Sequence, residues 1–232
     1  MIRFVPARAA LILLALAPAG AVAADGRNPT VVELYQSQGC SSCPPALASV
    51  NALAARPDVL ALTFAVTYWD DLGWKDTFAS PAFTQRQWDY AHASQRPNVA
   101  TPQTIINGRT AVNGGNKAEL DRAIAQADRG SSGPRLAHIG DGVTIAAGHT
   151  AQPATVWLVR YDPRTIPVAI RAGENGGRTL PHRDIVRSLD AIGTWTGATA
   201  HFAVPAARDP AYRSAILLQA GKGGPIIAAG RL

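Results

Sequence analysis

The only two cysteines of the chain, Cys40 and Cys43, stand three residues apart in the stretch QGCSSCPP (38–45). A thiol at the first turn of a helix feels unpaired backbone N–H groups and the positive end of the helix dipole, which favour the thiolate. In that setting Cys40 would be the attacking sulfur and Cys43, one turn on, the sulfur that resolves a mixed disulfide. Two other readings share the same residues: a structural staple, or half of a metal site. Two ligands cannot close a tetrahedral zinc site, and the histidines, His92, His138, His149, His182 and His201, show no local ligand spacing. A Cys-Cys-His copper site would need a donor brought in by the fold, with His92 and His182 the candidates. No cofactor or metal is expected.

Other chemistry-bearing residues surround this pair in sequence. Strand alternation puts Glu33 on the same side as Val31 and Tyr35, where a buried carboxylate of raised pKa is a candidate carrier of the proton that Cys43 must lose. Trp69, Asp70, Asp71, Trp74, Lys75 and Trp88 form either a partner-selecting rim or the small core of their own segment. The glycine-rich loop RAGENGGRTLPH brings Arg171, Glu174, Asn175, Arg178 and His182 together; a charged turn packing two domains is favoured over an anion site.

Positioning the cysteines requires regular elements on either side. TVVELYQ (30–36) reads as a strand, ALASVNALAAR (46–56) as a helix with Leu47, Val50, Leu53 and Ala54 on one face, and VLALTFAVTY (59–68) as a strand buried on both faces. That order is a βαβ unit with a parallel pair. Ser80-Pro81 opens a helix over AFTQRQWDYAHAS, and Asn107-Gly108 between two short apolar runs predicts a hairpin. Asn116 caps a helix over KAELDRAIAQA, with Glu119 completing a capping box. Linker composition at 129–134 suggests a domain boundary. Beyond it, strands are expected over 155–161, 167–172, 198–204, 214–220 and 224–230, with one helix over 182–192.

The N-terminus carries Arg3 and Arg8, an apolar run from Ala9 to Ala17 and the small residues Ala21-Val22-Ala23, the pattern of a cleaved export signal over 1–23. Export would place the cysteines in an oxidising compartment, periplasmic or extracellular. The net charge of +6 is spread as single arginines without a stripe or tail, so no nucleic-acid partner is expected, nor a membrane one after leader removal.

VVELYQSQGCSSC resembles the first strand and active-site turn of glutaredoxins, and TPQTIINGRTAVNGGNKAEL is similar to their later segment. The resemblance implies that Pro102 is cis and faces the cysteine pair. It implies that Thr101 pairs through its backbone with an extended substrate, and that Gly114, Gly115 and Asn116 hold a glutathione carboxylate. Ser41 and Ser42 stand where glutaredoxins and thioredoxins carry an aromatic residue or proline. Over nearly the whole mature chain, ELYQSQGCSSCPP, TYWDDLGWKDTFASPAFTQRQ, TPQTIINGR and GENGGRTL resemble an uncharacterised bacterial family of secreted thioredoxin-like proteins. The resulting expectation is an α/β, thioredoxin-like domain over 28–129 with a helical insertion at about 69–98, followed by a smaller, sandwich-like β-rich domain over 135–232. The expected function is an exported thiol–disulfide oxidoreductase acting on protein or small-molecule thiols and disulfides, with Trp69 and Trp74 at the substrate. The alternative is a non-enzymatic secreted binding or metal-handling protein.

Overall fold

The structure, a computed structural model, describes residues 1, 28–127 and 133–232. The leader expected at 1–23 lies outside the described residues save Met1, as does most of the linker at 129–134. The first half runs β1 (Thr30–Gln36), α1 (Pro44–Asn51), β2 (Val59–Ala65), α2 (Pro81–Ala93), β3 (Gln103–Ile106), β4 (Thr110–Val112) and α3 (Lys117–Gln126). The second runs β5 (Leu136–Ile139), β6 (Gly142–Ile145), β7 (Ala154–Asp162), β8 (Ile166–Ala169), β9 (Thr179–His182), β10 (Ile185–Trp195), β11 (Ala200–Ala203), β12 (Arg213–Ala220) and β13 (Ile226–Arg231).

Local expectations hold in several places. β1 and β2 are parallel, with α1 crossing between them. Asn107 and Gly108 have φ of 47° and 65°, both left-handed, and the three-residue connection 107–109, closed by the Arg109 N–H on the Ile106 carbonyl at 2.9 Å, joins the antiparallel strands β3 and β4. Asn116 Oδ1 accepts a hydrogen bond from the Glu119 N–H at 3.2 Å and so caps α3.

The expected fold class does not hold. Among the described residues the chain is mostly β, with three short α-helices, and one mixed sheet takes strands from both halves in the order β13-β12-β7-β10-β2-β1-β3-β4. It is therefore not a helix-inserted, thioredoxin-like α/β domain followed by a smaller β domain. The seam is the outer edge of β2, where β10 pairs in parallel at Ile185 and Thr63, and the Thr63 N–H donates to the Asp184 carbonyl at 2.8 Å. Only α2 forms in the segment expected as a helical insertion; residues 69–80 are turns and irregular chain. Three strands, β5, β6 and β11, make a second layer, and β8 with β9 makes a separate hairpin.

The helix expected over 182–192 is instead the end of β9 and most of β10. Its apolar residues Ile185, Val186, Leu189 and Ile192 mimic helical spacing because β10 is bulged against β7, with register shifts at Val186/Ser188 and Ala191/Gly193. A bulge adds one residue to the strand and flips the parity of those that follow, which breaks the two-residue alternation.

Alternation along the central strands divides the core into layers. Val31 and Tyr35 of β1, Leu60, Leu62 and Phe64 of β2, Val159 and Tyr161 of β7, and Ala215 and Leu217 of β12 share one core with Phe83 and Tyr90 of α2. Val32 and Leu34 pack on the opposite face with Ala46, Leu47 and Val50 of α1. Val156, Leu158, Ile216 and Leu218 pack with Val143 and Ile145 of the second layer. β7 and β12 are thus covered on both faces, and burial of so much aliphatic surface is the main term holding the halves together.

Inside the first core sits a charged group. Glu33 is fully buried, and its carboxylate accepts from Arg86 Nε at 2.8 Å and from the Tyr90 hydroxyl at 2.5 Å. Arg86 further donates to Gln219 Oε1 at 3.0 Å and to the Tyr90 hydroxyl at 3.0 Å, and its guanidinium lies over the Tyr90 and Trp157 rings. Removing one member of a buried ion pair strands the other without solvent. Arg86→Leu and Glu33→Leu are each expected to lower unfolding free energy by about 3–5 kcal/mol, and the double variant to cost less than the two together. Denaturant midpoints of the four proteins test this; additive losses would contradict it.

Candidate functional site

The site is built where β1 runs out. Past Gln36 the chain turns tightly, with the Cys40 N–H donating to the Ser37 carbonyl at 3.1 Å and the Cys43 N–H to the Cys40 carbonyl at 3.2 Å. Cys43 occupies the N-cap of α1 and Pro44 the first helical position, where a missing N–H costs nothing. Cys40 and Cys43 are joined as a disulfide with Cα atoms 5.4 Å apart.

Two segments expected from sequence to meet do so. Ser42 Oγ lies 3.3 Å from Cys40 Sγ and 3.5 Å from the Thr101 carbonyl oxygen, toward which its hydroxyl is directed. The Thr101-Pro102 peptide is cis and Pro102 is buried. Trp69 Nε1 donates to Thr101 Oγ1 at 2.8 Å, and Trp74 Nε1 donates to Gln38 Oε1 at 2.9 Å. These two tryptophans brace the proline loop and the approach to the cysteine turn from one irregular segment.

The pair is covered. Cys40 is 0% exposed and Cys43 2%. Over them lies the loop between β8 and β9: Glu174 Oε2 accepts from the Ser41 N–H at 3.0 Å and from Ser41 Oγ at 2.8 Å. Asn175, itself fully buried, donates through Nδ2 to the carbonyls of Gln38 at 2.9 Å and Cys40 at 2.8 Å. The two bonds from Ser41 hold the Glu174 carboxyl below its ordinary range.

Other sequence candidates are placed differently. Glu33 lies on the α2 face of β1 with Val31 and Tyr35, and α1 packs on the other; both its oxygens are held by Arg86 and Tyr90. No hydrogen bond links it to Cys43. Gly114 and Gly115 pack against the start of α1: a Cβ at Gly114 would sit 2.2 Å from Thr104 Oγ1, and one at Gly115 3.6 Å from Pro45 Cβ. The Gly115 N–H donates to Asn113 Oδ1, and Asn116 caps α3, so part of the suggested carboxylate cradle is satisfied internally.

His92 is exposed at the end of α2 against Trp88. His182 is buried against Phe78, with Nδ1 3.0 Å from the Leu180 carbonyl; burial lowers its pKa to about 4, so it is neutral. Among the described residues no three His, Cys, Asp or Glu side chains come together as metal ligands.

Two contributors escaped the sequence reading. Asp76 is 3% exposed and accepts from the Gln38 N–H at 2.7 Å and the Phe78 N–H at 2.8 Å, fixing the backbone two residues before Cys40. Asp-x-Phe in an irregular stretch carries no signal that distinguishes it from a surface turn. Arg86 did carry one: the helical period of α2 places it on the buried face with Phe83 and Tyr90, where an arginine demands an acidic partner.

These features define a mixed-sheet protein with an enclosed cysteine pair at a strand-to-helix turn, set against a cis X-Pro loop and roofed by a distant hairpin loop. The chain belongs to the DUF1223 family, proteins of unknown function, which matches residues 31–219. A crystal structure of a protein from Agrobacterium tumefaciens is 32% identical, with a TM-score of 0.73 over 88% of this chain and 93% of that one. HBP35 of Porphyromonas gingivalis shares the fold at 12% identity, with a TM-score of 0.58 over 89% of this chain and 75% of its own.

Burial raises the Asp76 carboxyl from 3.8 to about 6, against the two backbone N–H groups that favour its charged form. A carboxyl raised on folding stabilises the folded state fully below its ordinary pKa and loses that contribution as pH rises through the folded value. Relative to Asp76→Asn, the wild type should therefore lose roughly 3 kcal/mol of unfolding free energy between about pH 4 and pH 7. Urea unfolding across that range checks it, and a difference independent of pH would refute it.

Proposed function

We propose that this is an exported bacterial thiol–disulfide oxidoreductase whose working groups are Cys40 and Cys43, with Thr101 and Pro102 at the substrate. The observation that carries the reading is the disulfide at the strand-to-helix turn, with Ser42 bridging Cys40 Sγ and the Thr101 carbonyl beside a cis proline. The resemblance of VVELYQSQGCSSC and TPQTIINGRTAVNGGNKAEL to glutaredoxin segments supports the same reading. In the reducing direction the Cys40 thiolate attacks one sulfur of a substrate disulfide, and the other substrate sulfur leaves as a thiolate. Cys43 then attacks Cys40 Sγ, releases the second substrate thiol and closes the Cys40–Cys43 bond; two electrons pass to the substrate. The oxidising direction is the same sequence reversed, and the partner's potential selects between them. The apolar run and small residues of 1–23 support export, and an oxidising compartment supports the joined state of the pair.

One observation favours a second reading. Cys40 has no exposed surface, as befits a structural staple in a non-enzymatic secreted protein. The two separate by trapping: Cys43→Ala should accumulate mixed disulfides through Cys40 in the exported compartment, visible as thiol-sensitive adducts on non-reducing gels. An absence of adducts, with a reduction potential below about −300 mV, would establish the staple.

A further inference from the structure

The turn around Cys40 offers the hydrogen-bonding groups a bound substrate needs: the N–H and hydroxyl of Ser41, and the carbonyls of Gln38 and Cys40. All four are engaged by residues more than a hundred positions away. Ser41 gives both its donors to one carboxylate oxygen of Glu174, and Asn175 Nδ2 serves both carbonyls. Asn175 is a single buried peg in an otherwise exposed loop, since Gly173, Glu174, Gly176 and Gly177 all face solvent. The peg is pre-set from behind: Arg178 Nη1 donates to Asn175 Oδ1 at 2.7 Å, and the Gly177 N–H to the Ile170 carbonyl at 2.8 Å. Gly173, at φ 72°, lets the loop pass Trp74, where a Cβ would come within 3.2 Å of the tryptophan Cβ.

We infer that the 173–177 loop is an internal occupant of the substrate site, with Glu174 and Asn175 standing in for the carboxylate and amide donor of an acidic peptide disulfide. The inference rests on the thiol–disulfide reading of Cys40 and Cys43. Cys40 Sγ becomes accessible only when the peg withdraws. Withdrawal breaks the four hydrogen bonds to the cysteine turn and leaves the apolar clusters on either side of the sheet intact. It exposes two donors and two acceptors in the pattern the loop had filled. A partner that refills them presents a carboxylate to Ser41 and an N–H to the Gln38 and Cys40 carbonyls, so it competes with the loop through the same chemistry. An acidic residue beside the substrate cystine meets both demands, its carboxylate accepting from Ser41 and its backbone N–H donating to the carbonyls; a basic side chain, which only donates, cannot take up the Ser41 donors.

Two measurements test this. In the first, the oxidised protein is treated with dithiothreitol, quenched by alkylation and weighed. One reagent thiolate displaces a protein cysteine as a thiolate, and the second closes the reagent's ring disulfide, leaving Cys40 and Cys43 reduced. Glu174→Ala, a change to an exposed side chain with circular dichroism as the folding control, should speed reduction on the order of tenfold, as expected for losing two charge-assisted bonds that solvent screens at an exposed carboxylate. An unchanged rate overturns the loop's occupancy.

In the second, the reduced protein meets two cystine-bridged peptides that differ only in Asp or Lys beside the cystine. The Asp peptide should react faster, Glu174→Ala should accelerate both, and Ser41→Ala should shrink the preference. Equal rates for the two peptides overturn the substrate class. Failure with both peptides, while Glu174→Ala still speeds the dithiothreitol reaction, would sink the oxidoreductase reading and keep the loop's occupancy.

Discussion

The open edge of β2 is the constraint on which the rest of the molecule depends. A strand buried on both faces cannot leave one row of backbone N–H and carbonyl groups unpaired without a large desolvation cost. β10 supplies the pairing at Ile185, and the contact is reinforced where the Thr63 hydroxyl donates to the Arg183 carbonyl at 3.0 Å. Docking β10 there carries β7, β12 and β13 into the same sheet and fixes the hairpin of β8 and β9 beside α1, where Asn51 Nδ2 reaches the Pro181 carbonyl at 2.9 Å. The roof over Cys40 is a consequence of that edge pairing.

The buried network under α2 is a second result of the joined sheet. Glu33 comes from β1, Arg86 and Tyr90 from α2, and Gln219 and Trp157 from strands of the second half. Both donors to Glu33 come from the first half, and the second half completes the network by giving Arg86 an acceptor in Gln219 and a ring face in Trp157. Burial, with Glu33 close by, keeps the hydroxyls of Tyr35 and Tyr90 protonated far beyond neutrality. The carboxylate that looked like a proton carrier for Cys43 is a structural group, and its occupation by Arg86 explains why.

At the site itself, residues from three distant segments fix the cysteine turn. Asp76 and Trp74 tie down Gln38, Trp69 ties down Thr101, and Asn175 holds the turn's carbonyls, so Cys40 and Cys43 sit in a frame fixed from three directions. Such fixing gives the cysteine turn a defined geometry, and Cys40 and Cys43 are both enclosed. Ser41 and Ser42, between the cysteines, are the exposed residues through which the frame and the roof communicate.

The sequence by itself determined what is local. The β1-α1-β2 unit, the Asn107-Gly108 hairpin, the capped α3 and the strand runs of the second half follow from side-chain period, turn chemistry and caps, each written within a few neighbouring residues. The cysteine pair at a strand-to-helix turn was legible for the same reason, whereas its meeting with Thr101-Pro102 was expected only through the resemblance of the two segments to glutaredoxins. Only the tertiary structure decided that β10 is a bulged strand, that it pairs with β2, that Glu33 faces Arg86, and that Glu174 and Asn175 close over Cys40. Those outcomes depend on contacts between residues far apart in the chain, and neither hydrophobic period nor charge at either end specifies which distant edge or carbonyl will be the partner.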